Sequence, residues 1–167
     1  MSEEYYRLLV KNYLEEDGLC VKLLPMKRFP FDLAAKQYGK SFLFEIKRLK
    51  PVIEGSWSKS GRKSFSLNMP YAWPARALYV LDRLKGDYEL DVRGYVLVFL
   101  ETLKPTTHEK AMLRCFALEI PDTSQMPYAL RGLFFTKWYW QWDQLELYLD
   151  EQLDKQIDEL AAFFLST

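Results

Sequence analysis

The chain has 167 residues, 49% of them hydrophobic and 16% aromatic, enough for one core and pointing to one domain. Its 23 basic and 23 acidic residues cancel, so net charge gives no pull toward nucleic acid, and any basic surface must come from uneven placement. No apolar run reaches membrane-span length, the acidic start MSEEYYRLLV is not a leader, and no Cys/His cluster suggests zinc, so we expect an intracellular, cytoplasmic protein without a membrane partner.

Ser2–Glu16 reads as an opening helix. Ser2 is a suitable N-cap, Glu3 and Glu4 suit the first turn, and Asp17-Gly18 ends the pattern. Tyr6, Leu9, Val10, Tyr13 and Leu14 recur at helical spacing as its apolar face. Leu19–Leu24 reads as a short apolar strand, followed by the basic turn 25–28. Cys20 and Cys115 fall in predicted buried strands and read as small core residues in a reducing compartment, with a disulfide as the alternative.

The stretch 29–50 organises the rest. Phe29–Lys36 and Ser41–Arg48 read as two strands joined by Gln37-Tyr38-Gly39-Lys40, a polar loop with a glycine. If Lys36 faces Ser41, then Asp32 faces Glu45, and alternation puts Lys47 on the same face as Glu45. Phe42, Phe44 and Ile46 take the opposite face, with Phe31 and Leu33 expected to point the same way. Two carboxylates directly opposite one another repel, and a divalent cation between them would reverse the sign. The alternative is a solvated hairpin face in which Lys47 pairs with either acid.

Asp32, followed thirteen residues later by Glu45-Ile46-Lys47, resembles the PD-(D/E)xK nuclease superfamily, whose fold is restriction-endonuclease-like. The nearest flavour is the archaeal Holliday-junction resolvases and small viral or mobile-element nucleases. One departure is visible: the family's proline usually precedes the aspartate directly, whereas here Phe31 does and Pro30 stands one place earlier. The resemblance implies that Asp32, Glu45 and the backbone carbonyl of Ile46 hold Mg2+ or Mn2+, and that Lys47 positions a water or stabilises charge on the phosphate. It also implies a further acid from the first helix. Glu4 matches that position best, and Glu15 and Glu16 are the alternatives.

Residues 51–68 are rich in Ser, Gly, Lys and Arg and follow the Glu45-Ile46-Lys47 strand. Lys59, Arg62 and Lys63 suit phosphate, and Trp57 or Phe65 suits stacking on a base, against the alternative of a solvated loop. Trp73–Lys85 reads as a helix, with Pro74 at its first position, Gly86 as its stop and Ala77, Leu78, Leu81 and Leu84 as its buried stripe. Arg76 and Arg83 lie off that stripe and are left to solvent or substrate. Gly94–Leu100 and Leu113–Ile120 read as strands, separated by a polar loop whose His108 reads as a surface residue.

The connector 121–132 and the aromatic run Lys137–Trp142 lead to a long helix from about Asp143 to Leu165. Its apolar stripe includes Leu149, Leu153, Ile157, Leu160 and Phe164 and is expected to pack on the domain, with a homodimer seam as the other use. Its acidic face, with Asp150, Glu151, Asp154, Asp158 and Glu159, should repel DNA.

The expected fold is α/β, a mixed central sheet flanked by helices with a long C-terminal helix, as one nuclease-like domain. The core spans about 2–120 and an aromatic and helical extension about 121–167. The implied function is a metal-dependent nuclease, an endonuclease hydrolysing phosphodiester bonds of double-stranded or branched DNA. The competing readings are a catalytically inactive module of this fold that binds nucleic acid or a protein partner, and a scaffold acting through its C-terminal part.

Overall fold

The structure is a computed structural model, and it describes residues 3–25, 28–49, 73–100, 115–120 and 150–166. Along the chain these form α1 (Glu3–Glu16), β1 (Cys20–Leu23), β2 (Leu33–Gln37), β3 (Lys40–Leu49), α2 (Trp73–Asp87), β4 (Val92–Leu100), β5 (Cys115–Glu119) and α3 (Glu151–Leu165). The architecture is α/β: a mixed sheet of five strands in sequence order, with three helices among the described residues. β1, β2 and β3 form an antiparallel meander, β4 lies parallel to β3 after the α2 crossover, and β5 is antiparallel to β4.

Local chemistry sets the turns. α1 stops at Gly18, whose φ of 89° no side-chain-bearing residue adopts cheaply, and Leu19 N–H reaches back to Leu14 O at 3.1 Å. The β2–β3 turn has only two residues, Tyr38 and Gly39, at φ of 50° and 77°. Two consecutive positive φ values match the right-handed twist of the flanking strands, and this locks Lys36 opposite Ser41. The pairing then runs back to Leu33 opposite Phe44, the register that the sequence predicts.

The sheet has a helix layer on each face. On one side Tyr6, Leu9 and Val10 of α1 pack on Leu33, Ala35, Phe44, Ile46, Leu97 and Phe99, with the Tyr6 and Phe99 rings stacked at 4.5 Å. On the other, Leu78, Leu81 and Leu84 of α2 and Leu153, Ile157, Leu160 and Phe164 of α3 cover Ala34, Leu43, Val96 and Val98. Each such leucine or isoleucine, when fully buried, contributes about 1.5–3 kcal/mol. α2 approaches the sheet closely over Gly94, where a Cβ would meet Leu81 Cδ1 at 3.0 Å.

Several expectations are corrected here. Cys20 is exposed, because β1 lies at the edge of the sheet among the described residues and half its residues face water; Cys115 is half-buried, and no disulfide joins the two. Phe31 packs with Trp73 on the α2–α3 side rather than with Leu33 on the α1 side. β2 begins only at Leu33, so alternation does not carry back to residue 31. α2 runs through Gly86 to Asp87. α3 is capped by Asp150, whose carboxylate accepts from Leu153 N–H at 2.8 Å. Residues 143–149, where the sequence starts that helix, lie outside the described residues, as do His108 and the aromatic run 137–142.

Of the acids along α3, Asp150, Asp154 and Asp158 are engaged within the molecule, whereas Glu151 and Glu159 are exposed. Arg83 of α2 bonds Asp154 at 2.9 Å and Asp158 at 3.2 Å, and the Tyr79 and Tyr88 hydroxyls donate to the same two aspartates. Arg76 pairs with Asp150 at 3.3 Å and donates to Arg28 O. The two arginines left to solvent or substrate by the sequence therefore hold α2 against α3.

Candidate active site

Glu45 and Lys47 share the sheet face that α2 and α3 cover, near the end of the hairpin away from its turn, and the Asp32 side chain lies beside Glu45. The ladder departs from simple pairing at this point. Asp32 N–H donates to Phe44 O at 2.8 Å, and Leu24 N–H donates to Asp32 O at 2.8 Å. The Asp32 side chain turns inward, where Oδ2 accepts Ile46 N–H at 2.8 Å. A backbone donor of β3 is thus satisfied by a carboxylate, which fixes that carboxylate beside Glu45.

Both acids are buried, with 9% of Asp32 and 8% of Glu45 exposed. Burial pushes the Glu45 carboxyl up from the ordinary 4.5 to about 9; the neighbouring Asp32 charge and the hydrogen bond between the two side chains push the same way. Lys47 and the Trp73 indole act in the opposite direction without reversing the shift. A rise of this size keeps the Glu45 carboxyl protonated at neutral pH. Trp73 Nε1–H donates to Glu45 Oε2 at 3.1 Å and to Pro30 O at 2.7 Å, so the first residue of α2 ties the acid pair to the segment before β2.

Asp32 also meets a cation from the helix on the other face. Arg7 of α1 reaches it with Nε at 2.8 Å and Nη2 at 2.7 Å, both on Oδ1. The same guanidinium lies 3.5 Å from Glu3, one helical turn back. The acid of α1 connected to the pair is thus Glu3, through Arg7, whereas Glu4 points to solvent on the neighbouring helical position. Glu15 pairs with Lys11 at the far end of α1, and Glu16 is exposed.

Sequence reasoning missed Arg7 and Trp73. The available signals were modest: Arg7 is the one cation in the first half of the helix and sits four residues after an acid, and Trp73 opens a helix a few residues after the basic, serine-rich stretch 51–68. Trp57, Lys59, Arg62 and Lys63 lie outside the described residues.

The donor set suits a hard cation. Two carboxylates in contact offer hard oxygen ligands, and a divalent ion that displaced the Glu45 proton and the Arg7 guanidinium would balance both charges. Among the described residues no three His, Cys, Asp or Glu side chains gather for a metal. An ion held by Asp32 and Glu45 would complete its shell from water, backbone oxygen and phosphate oxygen, as Mg2+ commonly does. Among the described residues no helix is long and apolar enough to cross a membrane. No protein-family model, curated protein or solved structure matches the chain.

Proposed function

We propose that this protein is a metal-dependent nuclease of the PD-(D/E)xK kind, cutting phosphodiester bonds, with DNA as the substrate. The observation that carries the reading is the buried contact between the Asp32 and Glu45 carboxyls with Lys47 on the same face. A purely structural hairpin gains nothing from that contact, since it forces an acid to stay protonated far above its ordinary range. The element order of helix, three strands, helix and two strands supports a restriction-endonuclease-like core.

In this reading Asp32 and Glu45 hold Mg2+ or Mn2+. An ion held there would supply Lewis-acid chemistry, polarising the scissile phosphate and lowering the pKa of a bound water. The Ile46 N–H and the Trp73 indole hold the two carboxylates in place. Lys47 orients the attacking water or stabilises charge developing on the phosphate. Burial beneath α2 lowers the local dielectric and strengthens each of these interactions.

The test is cleavage of linear, supercoiled and branched DNA with Mg2+, Mn2+ or EDTA, with Glu45→Gln in parallel. Metal-dependent cutting that disappears in the variant supports the reading. Cutting that survives the substitution removes it.

The Arg7–Asp32 ion pair favours a second reading, a nuclease-fold module without catalysis that binds nucleic acid or a protein partner. A guanidinium on Asp32 already supplies the site with a positive charge. DNA binding that weakens with salt, with no cutting under any metal, selects this reading.

A further inference from the structure

Arg7 is bound to Asp32 by two nitrogens on one oxygen, and its other acceptor, Glu3, is within 3.5 Å. The guanidinium side chain is 37% exposed and that of Glu3 is 44% exposed, whereas that of Asp32 is 11% exposed. Arg7 can therefore leave Asp32 for Glu3 along an open path, moving within one turn of α1. Asp32 cannot follow, because its second oxygen is held by the Ile46 N–H. The arrangement has a fixed acid, a movable cation and a ready second seat for that cation.

We infer that Arg7 is a displaceable counter-cation that competes with a divalent metal ion for Asp32 and thereby sets the metal affinity of the Asp32–Glu45 pair. The inference rests on reading that pair as a metal site. Without metal, Arg7 neutralises a buried carboxylate and keeps the hairpin end folded. With metal, the two cations cannot both stay on Oδ1, and the guanidinium moves to Glu3. A like charge within hydrogen-bond distance of a ligand oxygen weakens cation binding strongly in a partly buried site. Reciprocity then requires that metal loosens the hold of Arg7 by the same factor.

The experiment measures Mn2+ binding to the full chain by electron paramagnetic resonance of the free ion, with thermal unfolding in EDTA and in Mn2+. The proteins are the wild type, Arg7→Gln, Arg7→Lys and Asp32→Asn. Arg7→Gln is expected to bind Mn2+ about tenfold or more tightly than the wild type, and Arg7→Lys to fall between. The same Arg7→Gln protein should melt lower than the wild type in EDTA and gain more from Mn2+. If Arg7→Gln is unfolded in EDTA, refolding by Mn2+ and not by matched NaCl supports the exchange, and failure to refold overturns it. Equal Mn2+ affinity in wild type and Arg7→Gln, with loss in Asp32→Asn, overturns the role of Arg7 and leaves the metal site standing. No Mn2+ bound by any of the four overturns the metal site and the inference with it.

Discussion

Replacing Glu45 by Gln removes an ionisable group while keeping its size and a hydrogen-bonding end. Glu45 ordinarily titrates at 4.5 and is pushed up to about 9 by burial and by Asp32. Between those values the folded protein holds one proton more than the unfolded chain. Wild-type stability from this group is therefore fully present below about pH 4.5 and is lost progressively as pH rises toward 9. At about pH 8 the interval above the unfolded value is about 3.5 units, which at about 1.4 kcal/mol per unit bounds the loss at about 5 kcal/mol. Parting of the two carboxyls and entry of water reduce that figure, and a realised value of about 2 kcal/mol would shift Tm by roughly 6 °C in a chain of this size. The amide of the Glu45→Gln variant has no such titration, so the variant's stability relative to the wild type should rise steadily from about pH 5 to about pH 8. Urea unfolding in EDTA at several pH values measures the difference. A gap that stays constant with pH would refute the reasoning, because it would mean that the two carboxyls are not held together away from water.

Three further substitutions test the frame around the site. Tyr38→Asn places a residue that tolerates left-handed backbone at φ 50° and removes a ring that is 94% exposed, so it should stabilise by about 0.5 kcal/mol in chemical denaturation. Gly94→Ala forces a methyl to within 3.0 Å of Leu81 and 3.2 Å of Ile120 and should destabilise by about 1–3 kcal/mol, read as a lower urea midpoint with an unchanged slope. Lys36→Met removes the ammonium that binds Phe163 O at 2.6 Å, together with Ser166 O and Oγ, at the end of α3. It should cost about 1–2 kcal/mol, and hydrogen exchange should rise in the last turn of that helix.

The hairpin register is legible although the sequence suggests a four-residue loop over 37–40 and the turn has two residues, because both arrangements set Lys36 opposite Ser41, which carries through to Phe44. The α2 and α3 stripes were legible because Leu78, Leu81, Leu84, Leu153, Ile157 and Leu160 repeat at helical spacing and end up buried. Burial of Cys20 was misjudged because its neighbours Leu19 and Val21 are apolar, and nothing local reveals that a strand will lie at a sheet edge. Phe31 was assigned to the wrong face because alternation holds only within a strand, and the strand starts two residues later. Spacing hints at the pairing of Arg7 with Glu3 but not at its contact with Asp32. Whether a long side chain reaches around the end of a sheet to an acid 25 positions away depends on the docking of the whole helix. The aspartates of α3 were read as an outward face because a single helix does not show its partner, and Arg83, Tyr79 and Tyr88 belong to α2 and the segment just after it.

Lys36 has a consequence for how the chain comes to be folded. It belongs to the strand that carries the hairpin, yet its bond to Phe163 O spans 127 positions in sequence. During synthesis the three-stranded meander and α1 leave the ribosome before α2 and long before α3, so at first neither helix covers the face bearing Glu45 and Lys47. Closing so long a loop is slow, although each doubling of its length adds only about 0.6 kcal/mol. Until α3 is made, Leu153, Ile157, Leu160 and Phe164 are missing from the cluster over Ala34 and Leu43, and that part of the sheet stays open to water.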